Sequence, residues 1–86
     1  MIRVEFFDVA RARAGTGAVD VEAGTLGDAL RAAVAACPGL EPEIIRDGRL
    51  ARHWRASLNG REFLDDPDAR LEPGDAVLVL SALAGG

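Results

Sequence analysis

The residues with the clearest chemical potential in this sequence are its last two. Gly85 and Gly86 close the 86 residues. Without Cβ atoms, a diglycine lets the backbone pass a narrow channel and come close to a nucleotide or a sulfur donor. The group on offer is the Gly86 carboxylate. A carboxylate is a poor electrophile, so its use requires ATP to make an acyl-adenylate, from which a sulfur nucleophile then displaces AMP. The product, a terminal thiocarboxylate, holds an anionic sulfur on a tether. Ser81-Ala82-Leu83-Ala84 leads into the glycines, small residues around one apolar anchor. Residues 81–86 therefore read as a flexible tail with an extended reach of roughly 20 Å. Gly86 is the candidate sulfur-carrying residue, and Gly85, Ala84 and Leu83 give access to it.

Other residues offer less. Cys37, the single cysteine, falls on an apolar helix face just before Pro38, where a small buried thiol is the expected occupant. It has no internal disulfide partner, which agrees with a reducing compartment. His53 is the single histidine, so no metal cluster of histidines and cysteines can be assembled. Asp65, Asp66 and Asp68 lack calcium-loop spacing and read as a surface loop. The expectation is a protein with no catalytic residue of its own, no bound cofactor and no metal, with ATP used only by a partner.

Composition narrows the classes further. About half the residues are apolar (49%), which fits one compact domain. A chain this short has little room for a deep enclosed active site. Ten basic residues face fourteen acidic ones. The basic residues read as scattered, so nucleic acid is an improbable partner. All ten are arginine, which leaves the N-terminus as the one amine. The opening Met1-Ile2-Arg3-Val4-Glu5 lacks a signal-peptide stretch, and no run approaches the roughly 20 apolar residues of a membrane span. A cytoplasmic location away from membranes is expected.

The elements that must position the tail follow from periodicity. Ile2, Val4 and Phe6 alternate with Arg3, Glu5 and Phe7, as in a strand with one face on a core. Val9 to Gly17 shows no alternation and reads as a loop or short turn before a second strand at 18–21. Leu26, Ala29, Leu30, Ala33, Val34 and Cys37 recur at helical spacing, with Thr25 as N-cap, Asp28 as a capping-box partner, and Pro38-Gly39 as the stop. Leu40 to Asp47 is ambiguous: Ile44 and Ile45 can plug the core from a short helical turn, or the segment from Leu40 to Leu50 can fold over the second sheet face. Asn59-Gly60 between residues 54–58 and 61–64 predicts a hairpin. Pro73-Gly74-Asp75 turns the chain into Ala76-Val77-Leu78-Val79-Leu80, a strand apolar at every position and so expected at the sheet's centre.

In order these are strand, strand, helix, strand, strand, strand, an α+β arrangement with a folded domain over 1–80 and the tail over 81–86. One helix covers one sheet face. Phe7 and alternate residues of the last strand, read as Val77 and Val79, then remain on the other, where exposed apolar surface marks a protein contact. Trp54 reads as core or rim packing. Arg11 is a further candidate for partner contact, with a solvated loop arginine as the alternative.

Phe6-Phe7-Asp8-Val9-Ala10-Arg11 with Gly15, Thr25-Leu26-Gly27-Asp28-Ala29-Leu30, and Gly74-Asp75-Ala76-Val77 through Ala84-Gly85-Gly86 together resemble the MoaD/ThiS family of ubiquitin-fold sulfur carriers. Gly48-Arg49-Leu50-Ala51-Arg52-His53-Trp54 resembles carriers of cysteine or specialised metabolism and small archaeal-type modifiers. The resemblance implies a ubiquitin-like β-grasp fold, a mixed sheet of four to five strands with one main helix on one face. It implies three partners: a ubiquitin-activating-like adenylyltransferase, a sulfur donor (a sulfurtransferase or cysteine desulfurase), and an acceptor enzyme such as a molybdopterin synthase large subunit. The expected acceptor pathways are molybdopterin, then cysteine or specialised metabolism, then thiazole. A modifier conjugated to lysines through Gly86, or a ubiquitin-fold interaction domain, are the competing readings.

Overall fold

The computed structural model describes residues 1–82. β1 (Ile2–Phe6) buries Ile2, Val4 and Phe6 and exposes Arg3, as its alternation predicts. Where residues 9–17 read from sequence as a loop or short turn, the chain forms a helix instead, α1 (Asp8–Ala14). The physical reason is local. Three alanines and two arginines are strong helix formers, and Asp8 in the first turn and Arg11 and Arg13 in the last suit the helix dipole. Gly15 closes the helix at φ 77°, its N–H donating to the Arg11 carbonyl. Ala10 alone is buried, so two turns of helix left almost no apolar periodicity to read.

β2 (Ala18–Val21) pairs antiparallel with β1, Ile2 opposite Val21 and Glu5 opposite Ala18. α2 (Leu26–Ala36) then crosses the sheet, burying Leu26, Ala29, Leu30 and Ala33. Thr25 caps it as expected, its Oγ1 accepting from the Asp28 N–H at 3.2 Å, while the Asp28 carboxylate takes a hydrogen bond from Arg31. The first N–H groups of the helix, which have no partner inside it, go to Ala69 and Pro67 carbonyls. A 3-10 turn at Pro38–Leu40 ends this segment.

Leu40, Ile44 and Ile45 are 0–1% exposed and join the core. The short strands β3 (Ile45–Arg46) and β4 (Arg49–Leu50) form a separate hairpin against α2. Residues 40–50 thus pack on the helix side and leave the second sheet face uncovered among the described residues. β5 (Trp54–Leu58) and β6 (Glu62–Leu64) form the predicted hairpin, with Asn59 and Gly60 at φ 55° and 72°. β7 (Ala76–Ser81) runs one residue beyond the sequence reading and lies third in the order β2-β1-β7-β5-β6, parallel to β1 and antiparallel to β5. This is a mixed five-stranded sheet with its main helix on one face, the α+β ubiquitin-like β-grasp arrangement.

Candidate functional site

The site is built around the end of β7. A central strand is held on both sides, here by β1 through Phe6 opposite Val79 and by β5 through Trp54 opposite Ser81. At the far end, Asn59 and Asp75 clamp the strand's start. The Ala76 N–H donates to Asn59 Oδ1 and the Asn59 N–H to the Ala76 carbonyl, both at 2.8 Å, and Asn59 Nδ2 donates to Asp75. The Glu72 N–H and Asn59 amide donating to it hold the Asp75 carboxyl below its usual range. At the leading end, Ala82 donates to the His53 carbonyl at 2.7 Å. His53 reaches that position in left-handed backbone, φ 74°, a conformation that costs a non-glycine residue about 1 kcal/mol. Leu83, Ala84, Gly85 and Gly86, the carrier and access residues of the sequence reading, lie outside the described residues.

The register corrects part of the partner surface. Cross-strand neighbours share a face, so Val77 beside Val4 and Val79 beside Phe6 belong to the core, each 0% exposed. The uncovered face takes the other parity: Ala76 beside Arg3 and Leu78 beside Glu5, followed by Leu80, all three half-buried. An all-apolar strand carries no phase information, and its facing is set by β1, whose Arg3 and Glu5 point outward. Phe7 follows β1 in extended backbone and is half-buried. Phe63 was missed. It is 67% exposed and lies on the same face as Leu78, with Ser57 between them.

Arg11 sits on α1, which packs against β7. It is exposed, its guanidinium lies over Gly17, and it has no ion-pair partner among the described residues. Cys37 is 6% exposed and caps the end of α2. Burial pushes its thiol pKa up, which keeps it protonated and weakly nucleophilic. Among the described residues no three His, Cys, Asp or Glu side chains group to hold a metal ion, and no helix is long and apolar enough to cross a membrane. The arginines are less scattered than they read: Arg49 and Arg52 line one cleft of about 220 Å³ beside Trp54.

A β-grasp domain whose central last strand leads into a diglycine, flanked by an uncovered apolar sheet face, defines the class of ubiquitin-like carriers and modifiers. Known proteins agree. The chain is 42% identical over 64 residues to small archaeal modifier protein 3 of Haloferax volcanii, covering 72% of this chain and 70% of that protein. The crystal structure of SAMP1 from Haloferax volcanii superposes with a TM-score of 0.79 at 31% identity, over 99% of this chain and 98% of the other. The fold also matches a chain of the Amycolatopsis orientalis BexX/CysO complex, TM-score 0.82 at 20% identity, with both chains fully covered. No family model matches the sequence. The chain belongs to the MoaD/ThiS-like family of ubiquitin-fold small modifiers and sulfur carriers, whose members here are carrier or modifier proteins and not catalysts.

Proposed function

We propose that the protein is a sulfur carrier whose Gly86 carboxylate is adenylated by an activating-enzyme partner, with ATP giving up pyrophosphate. A sulfur nucleophile then displaces AMP to leave a thiocarboxylate. The observation that carries this reading is the placement of β7. The diglycine follows a strand fixed on both sides at the centre of the sheet, so a partner gripping the domain controls where the chain end goes. Phe7, Leu78, Leu80 and Phe63 form the face such a partner recognises, with Arg11 at its border. Molybdopterin synthesis is the first acceptor pathway to test, then cysteine or specialised metabolism, then thiazole.

Intact mass spectrometry after incubation with an activating enzyme, ATP and a sulfide source tests it. A sulfur-for-oxygen exchange at the C-terminus supports the proposal. Full pathway activity of a Gly86 deletion overturns it. A second reading, conjugation to lysines of other proteins, is favoured by the 42% identity to a small archaeal modifier protein. Conjugates of higher mass that vanish on Gly86 deletion would support it. Because the chain contains no lysine, these conjugates would carry no chains branched on its own side chains.

A further inference from the structure

The cleft beside Trp54 lies on the opposite side of the sheet from the apolar face and plays no part in the chemistry above. Its floor is aliphatic: Leu26 and Leu30 from α2, Leu50 from β4, Leu64 from β6. Its rim is cationic. Arg49 and Arg52 line it against the single carboxylate of Asp65, in a chain whose formal net charge is −4, while Arg55 stands beside Leu80 on the other face. Arg49 and Arg52 are both exposed and neither has an ion-pair partner among the described residues. A surface that gathers unpaired guanidinium groups in an otherwise acidic molecule is complementary to an acidic partner. Half-buried tryptophan among arginines is also the composition in which binding energy concentrates.

We propose that this cleft is a docking site for an acidic segment of a partner protein, which inserts one large apolar side chain onto the leucine floor and lays flanking carboxylates on Arg49 and Arg52. Size favours this occupant. At about 220 Å³ the cleft holds one side chain, whereas enclosed small-molecule sites run from roughly 300 Å³ upward. Position favours it too. Trp54 in the cleft wall stands directly opposite Ser81 in the β5–β7 register, so a protein that holds the chain beyond Ser81 has the cleft one strand away. The site is independent of what is done to Gly86, and a Gly86 deletion is expected to keep it.

The test is a titration of the ¹⁵N-labelled full chain with a synthetic peptide of aspartates and glutamates around one leucine. Saturable shifts in the amides of residues 49–55 and in the Trp54 indole N–H are expected, with a Kd on the order of 0.1–1 mM. They should weaken at least about tenfold in an R49E/R52E variant and in high salt. Should that variant fold poorly, a peptide with its acids changed to asparagine and glutamine reads the same charge dependence on the native chain. Shifts confined to Phe7, Leu78, Leu80 and Phe63 would overturn the proposal. So would equal binding of the neutral peptide, tighter binding of ATP than of the acidic peptide at the same residues, or self-association through the cleft.

Discussion

Alternate residues of β7 have opposite jobs, and substitution separates them. Val77 and Val79 are 0% exposed. Truncating either to alanine removes two methyl groups, about 1.6 kcal/mol of transfer free energy, and leaves a small cavity, for a total of about 2–3 kcal/mol. In a domain of this size that lowers Tm by about 10 °C or more. Leu78 and Leu80 are half-buried on the uncovered face. Threonine keeps the strand propensity at these positions, and each change costs about 1 kcal/mol or less. Circular dichroism against temperature and urea measures stability, and activating-enzyme-dependent pyrophosphate exchange measures recognition. V79A is expected to melt early yet, below its transition, to serve the enzyme within about twofold of the parent. L78T/L80T is expected to keep its fold and lose about tenfold in kcat/KM. A stable V79A that the enzyme rejects, beside an unstable L78T/L80T that it accepts, would refute the assignment of faces.

Three further outcomes follow from local geometry. A Cβ added at Gly39 would fall on the Arg13 carbonyl oxygen, far inside van der Waals contact, so G39A should push α1 off the 3-10 turn and cost about 1–3 kcal/mol, read as a lower urea midpoint. The folded-state pKa of Asp75 lies below its ordinary value of 3.8. Its contribution is therefore present in full above that value and is lost as pH falls through the folded pKa, so D75N should show a smaller loss of urea midpoint than the parent between about pH 5 and pH 2.5. His53 at φ 74° should tolerate glycine with little change in Tm, while H53V, β-branched in left-handed backbone, should cost about 1–2 kcal/mol.

The legible parts of this fold were those where one residue type has one physical use. Thr25 before a helical stripe, Pro38 after it and Asn59-Gly60 between two apolar runs each marked a boundary that the structure keeps. α1 was illegible because a seven-residue helix with one buried alanine writes no period. The central place of β7 was readable from its uniform hydropathy, and the same uniformity hid which residues face out, since Val77 and Leu78 are equally apolar. Phe63 was hidden by its hairpin, where an aromatic looks like core until register puts it outside. Arg49 and Arg52 were present in the sequence, and their meaning depended on β4 and the start of β5 meeting at one cleft. The diglycine was the plainest signal, and it lies beyond the described residues.

The parallel pairing of β1 with β7 has a mechanical consequence. A partner that draws the chain end toward itself while bracing the domain pulls β7 along its own axis. The strand is bonded to β1 on one side and β5 on the other, from Arg3 opposite Ala76 to Trp54 opposite Ser81. Load applied this way is shared by all the inter-strand bonds at once, as in shear, where an edge strand peeled from its end would release them one by one. The domain can therefore act as a rigid handle, tugged by its last residues without unravelling from them.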